Sequence, residues 1–120
     1  MADTRWEDLY NHLKSEGFDV YSPGQKKGEC IKPYVVIKDS GIVGLTTIST
    51  NRQLFDIMCY VPEAKYSTLE KYVNSVKVSM DKIFPLFRPM NYQTSSYLDE
   101  TVKAHMIDVQ YCNYQKKERR

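Results

Sequence analysis

The sequence predicts an α+β domain: an antiparallel sheet of four to five strands with two helices packed on one face, in the order α-β-β-β-α-β-β. Three observations carry that prediction. Two capping boxes, Thr4-Arg5-Trp6-Glu7 and Ser67-Thr68-Leu69-Glu70, each open an apolar stripe of helical period. Five runs rich in β-branched and aromatic residues lie between and after these stripes. Clusters of Pro, Gly, Asp and Ser punctuate the boundaries. At 120 residues and 42% hydrophobic, the chain reads as one domain over residues 1–115 with a short basic tail, 116–120. Folding at this size hides roughly two thirds of the unfolded surface, enough for a modest core without disulfide or metal.

In the first box the threonine oxygen takes an orphan helix amide and the glutamate reaches back; Trp6, Leu9, Tyr10 and Leu13 then line one face to about Glu16. Gly17 suits the left-handed position that closes the helix, and Phe18 supplies the accompanying hydrophobic contact. Residues 18–21 alternate as a short strand, and Ser22-Pro23-Gly24 followed by Gln25-Lys26-Lys27-Gly28 reads as an exposed basic loop. In the run CIKPYVVI, Pro33 cannot donate to a ladder and belongs at an edge, a strand start or a bulge, so 34–37 is the secure strand.

Asp39-Ser40-Gly41 is turn chemistry, so 43–50 is expected to pair back as a second strand. Asn51-Arg52 then turns the chain into 53–61, where Phe55, Ile57, Cys59 and Val61 share a face, completing a meander. Pro62 stops this strand. The second box opens a helix with Leu69, Tyr72, Val73, Val76, Met80 and Ile83 in one stripe, ended by Pro85. Runs 90–98 and 102–111 form a hairpin about Asp99-Glu100-Thr101. The last run is two-faced: Val102, Ala104 and Met106 share one side, and Ile107, Val109 and Tyr111 the other. That pattern requires either a bulge near Met106 or burial of both faces, the second needing a partner surface.

Net charge is +2, from 17 bases and 15 acids, but the tail holds four of the bases and one of the acids, which leaves 13 against 14 in the body. A neutral body argues against a nucleic-acid surface spread over the fold. No apolar run approaches the ~20 residues that cross a bilayer, and the amino terminus lacks a signal-peptide plan, so a soluble chain is expected. Cys30, Cys59 and Cys112 make an odd count without CxxC or zinc-ligand spacing, which suits a reducing compartment. The two histidines, His12 and His105, have no partner nearby in sequence, and the remote pairing of Cys112 with His105 lacks a supporting signature. Asp3, Glu7 and Asp8 cluster where a helix macrodipole explains them. The five glycines form no phosphate cradle. No catalytic group, metal or cofactor is therefore expected. Ten tyrosines suit either base stacking on a sheet face or core and interface packing; the neutral body favours packing.

The stretches PYVVIKDSG, RQLFDIMCYVP and YSTLEKYVNSVKVSM, in this order behind an amino-terminal helix, resemble the tail terminator (tail completion) family of long-tailed bacteriophages over roughly residues 6–111. The resemblance implies a structural virion protein, assembled from chains made in the host cytoplasm and located at the head-proximal end of the tail. It implies a homo-oligomeric ring, typically hexameric, that caps the tail tube protein, halts its polymerisation and offers a surface to the head connector. It implies no enzyme, no membrane and no specific nucleic acid. Head-to-tail connector or stopper proteins of the neck share much of this pattern and are the alternative. A small single-strand nucleic-acid-binding domain, using Lys26, Lys27 and the tail, is the reading from another class. A ring uses heterologous contacts. Exposure logic nominates as interface residues Lys26 and Lys27 on a mobile loop ordered by assembly, an edge marked by Pro33, and His105, Ile107, Val109 and Tyr111 on the two-faced strand.

Overall fold

A computed structural model describes residues 5–44 and 50–116. Helix α1 (Arg5–Ser15) and helix α2 (Leu69–Asp81) lie on one face of a six-stranded mixed sheet. Its strands are β1 (Val20–Tyr21), β2 (Tyr34–Gly44), β3 (Thr50–Pro62), β4 (Arg88–Gln93), β5 (Tyr97–Asp99) and β6 (Ala104–Lys116). The spatial order is β1-β2-β3-β6-β4, with β5 also on β6. The α+β class and the open sheet with helices on one face are as the sequence predicts; the strand count and one strand direction differ.

Helix α1 closes as its sequence dictates. Gly17 sits at φ 96°, its N–H donates to the Lys14 carbonyl and the Phe18 N–H to the Leu13 carbonyl, both at 3.1 Å. These are the two bonds of a Schellman closure. The Thr4 cap falls outside the described residues. The second capping box does not form: a 3-10 helix, Glu63–Thr68, runs directly into α2, and Thr68 makes no side-chain cap. Its hydroxyl donates back to the Lys65 carbonyl at 2.7 Å, so the oxygen is turned toward the preceding turn.

Strand β1 pairs parallel to β2, through Val20 with Val35 and Tyr21 with Val36. A parallel pair needs a crossover of about a dozen residues, and the segment 22–33 supplies it. The expected meander also contracts. Asp39-Ser40-Gly41 makes a bulge inside β2, with Asp39 opposite Phe55 and Gly41 opposite Leu54. Asp39 Oδ1 accepts the Gly41 N–H at 2.9 Å and Gly41 adopts φ 104°, so residues able to reverse the chain here add one residue to a continuing strand. Residues 43–44 thus extend β2, and 45–49, part of the expected second strand, fall outside the described residues.

The predicted strand 90–98 divides into β4 and β5 because Thr94 leaves the ladder. Its N–H donates to the Asp108 carbonyl, and its Oγ1 accepts the Asp108 N–H, both at 3.0 Å. The Asp99 turn forms as expected, with Asp99 Oδ1 accepting from Thr101 N at 3.1 Å and Oγ1 at 2.6 Å.

The main core lies between helices and sheet. Leu9 and Leu13 from α1 and Leu69, Val73, Val76 and Met80 from α2 meet Val35, Ile37, Phe55, Ile57, Cys59 and Val61. His12 Nε2 donates to the Ser79 carbonyl at 2.8 Å and ties the helices together. The long strands continue past this layer. The extents are 52 × 26 × 24 Å, and the radius of gyration of 15.1 Å exceeds the roughly 13.5 Å of a compact chain of this length. Among the described residues, no helix is long and apolar enough to cross a membrane.

Candidate interaction surface

The two-faced strand resolves first. β3 and β6 pair without interruption from Thr50–Lys116 to Pro62–Ala104, so there is no bulge at Met106 and both faces are buried. Ile107, Val109 and Tyr111 face the helices and belong to the main core at 7%, 4% and 3% exposure. Exposure logic nominates them for a partner surface, but the chain's own helices occupy that place. On the other side Ala104 joins Cys30, Tyr34 and Val36 in a second, smaller core. Its cover comes from the chain itself, because the crossover 22–33 returns over the sheet and Cys30 N–H donates to the Val102 carbonyl at 2.7 Å.

Lys26 is half-buried against this second core. Its ammonium stands 5.9 Å and 5.7 Å from the ring centroids of Tyr21 and Tyr34, while Tyr34 stacks on Tyr60 at 4.8 Å. The expected mobile loop thus has a seat in a single subunit, and only Lys27 of the two lysines is exposed. Burial pushes the Tyr60 phenol up to about 12 and raises Tyr34 too. Several tyrosines are therefore packing groups; Tyr66, Tyr92, Tyr97 and Tyr114 remain exposed. Pro33 directly precedes β2, which runs between β1 and β3 at that point, so it marks a strand start and not a sheet edge. His105 is half-buried with its ring edge-on to Tyr66 at 4.6 Å. The nominated residues therefore lie on opposite sides of the sheet and do not converge on one surface.

His105 and Cys112 cannot act together. Seven residues apart on one strand, they point to opposite faces, roughly 23 Å apart along it. Burial raises the Cys112 and Cys30 thiols, and Cys59 is enclosed entirely. No group of three metal-ligating side chains occurs among the described residues.

The half of the non-helical face away from the second core is different. There Leu54, Asp56 and Gln110 are half-buried, and Lys38, Arg88 and Tyr114 are exposed. Asp56 accepts a short hydrogen bond from Ser40 Oγ and another from Gln110 Nε2 at 3.2 Å. Asp108 sits beside it. Burial, reinforced by the Asp56 charge and a hydrogen bond to it, pushes the Asp108 carboxyl up to about 7, against the pull of Lys38. One Asp108 oxygen is buried without a partner among the described residues.

Toward the strand ends the charge reverses. Arg88 lies over two rings, 5.2 Å from the Phe84 centroid and 5.7 Å from that of Tyr114. Arg52 stands opposite Tyr114 in the ladder, and its buried Nε has no partner among the described residues. Arginine against exposed aromatic rings is the composition of an interface centre. No sequence motif marks these residues: Arg88 falls in a proline-flanked stretch after the second helix, and the usable signal is the alternation Arg52, Leu54, Asp56 against Gln53, Phe55, Ile57.

The sheet rim is the remaining feature. β1 covers β2 only at Val35 and Val36, and Trp6 Nε1 donates to the Ile37 carbonyl at 2.8 Å. From Lys38 to Gly44, β2 has a strand partner on one side only among the described residues. The opposite rim, β4, is interrupted by Pro89 and by Asn91 at φ 56°. Neither the protein-family models nor the curated proteins searched include a match to this chain.

Proposed function

We propose that this protein is a structural virion protein, a tail terminator whose copies form a ring, typically of six, that caps the phage tail tube and joins it to the head connector. It acts by binding and not by catalysis. The observation that supports this reading is the half-paired rim of β2 from Lys38 to Gly44. Its open backbone groups are a template for another chain. A head-to-tail contact, in which this rim meets a different patch on the next copy, closes a ring. The distal strands, which outrun the helices, supply the reach for such a contact.

The test is to add purified protein to polymerising tail tube protein and follow tube length by negative-stain microscopy. The reading expects tubes that stop growing, with a ring at one end. Tubes that keep elongating beside an unbound protein contradict it.

A further inference from the structure

We infer that the distal half of the non-helical sheet face pairs with the same face of a second copy across a two-fold axis, Arg52 and Arg88 of each copy meeting Asp56 and Asp108 of the other. The inference rests on this face alone and goes beyond the ring, which uses the rim.

The argument is charge complementarity. Along β3, Arg52 and Asp56 project from the same face, four residues and roughly 13 Å apart. Arg88, opposite Cys112 and so level with Leu54, leans over the Tyr114 ring that stands opposite Arg52, and Asp108 lies beside Asp56. One end of the face is therefore basic and the other acidic. Among the described residues each end is also short of counter-charge. Of these residues the two carboxyls face one base, Lys38, opposite Asp56 on β2, with Ser40, Thr94 and Gln110 as neutral neighbours. Neither arginine makes an ion pair among the described residues.

A two-fold rotation about a point near Leu54 lays each arginine end on an acidic end. It puts Leu54 and Gln110 at the centre, where loss of water matters most. Self-complementarity of this kind is the signature of an isologous contact. Four strands and about seven residues of each give a patch of roughly 20 by 20 Å, or about 400 Å² per copy. The pair together buries about 800 Å², below the roughly 1,000 Å² of a stable interface, so the pairing is weak and reversible. Free chains form dimers by this contact; if the ring also forms, the same contact stacks two rings.

The test is sedimentation equilibrium of the full chain over a range of concentration and salt, with circular dichroism to verify folding. The expected result is a concentration-dependent doubling of mass that salt weakens. The exposed change Arg88→Glu weakens pairing about tenfold or more, because every charge pair occurs twice across the axis. Asp56→Lys does the same, and mixing the two variants restores pairing through the reversed charges. If Asp56→Lys unfolds the chain, the near-isosteric Asp108→Asn replaces it, and at pH 8, where Asp108 is ionised, it is expected to weaken pairing with the fold retained. Wild-type chain that never doubles its mass overturns the inference, as does doubling that neither folded variant alters. Rings that survive in Arg88→Glu while the doubling disappears support the inference and leave the ring reading standing. Tubes left uncapped by a chain that still doubles reject the ring reading alone.

Discussion

Replacing Asp108 by Asn stabilises the folded chain above neutral pH and leaves it nearly unchanged at pH 4. The Asp108 carboxyl titrates near 7 in the fold, against an ordinary value of 3.8. Between these values the native chain keeps a proton that the unfolded chain has released. Stability rises with pH where the unfolded state binds more protons; here the native state binds more, so this group's contribution falls as pH rises from about 4 to about 7 and is flat beyond. At about 1.4 kcal/mol per pH unit the full displacement corresponds to about 4 kcal/mol. Water at the half-open face screens the pair, which brings the expected effect to about 2 kcal/mol. For a chain of this length that is a rise in melting temperature of roughly 6–10 °C. The assay is thermal unfolding of wild type and Asp108→Asn at pH 4 and pH 8, followed by circular dichroism in dilute, salted solution. Asparagine keeps the shape and a hydrogen bond to Asp56, so a gain confined to high pH isolates the ionisation. Equal shifts at the two pH values, or a loss at pH 8, refute the reasoning.

Three further outcomes follow from local geometry. Gly17→Ala introduces a side chain at φ 96° with nothing within 4 Å to clash, so its cost is backbone strain alone, about 1 kcal/mol, read as a melting temperature lower by roughly 3–6 °C. Lys26→Ala removes the ammonium from above Tyr21 and Tyr34 and costs about 0.5–1 kcal/mol in urea unfolding, whereas Lys27→Ala, at an exposed position, stays within about 0.5 kcal/mol. Cys30, Cys59 and Cys112 are free and buried, so a thiol reagent titrates none of them rapidly in the folded chain and all three after denaturation; one fast-reacting thiol contradicts this.

Local signals written in a single stretch of chain were legible in the sequence. The stripes of both helices, the Gly17 closure, the inward face of β3 and the Asp99 turn all follow from spacing, because each depends on residues within one or two turns. Signals with two outcomes misled. Asp39-Ser40-Gly41 can reverse a chain or bulge a strand, and the pairing of β2 with β3 on both sides of it decides for the bulge. Ser67-Thr68-Leu69-Glu70 carries a capping pattern, but the 3-10 helix ahead of it takes over the helix entry. The surface was the least legible. The crossover 22–33 covers half of a face that periodicity leaves bare, and Arg52, Arg88, Asp56 and Asp108 come together only through the β3–β6 and β4–β6 registers.

Backbone hydrogen exchange at Lys38–Gly44, compared between the dilute chain and the chain held at the end of a tail tube, tests the central claim most directly. If neighbouring copies complete the sheet, these rim amides exchange quickly when the chain is alone and slow markedly on assembly, while the core strand from Phe55 to Val61 is protected in both states. Rim amides that exchange equally fast in the bound chain contradict the account.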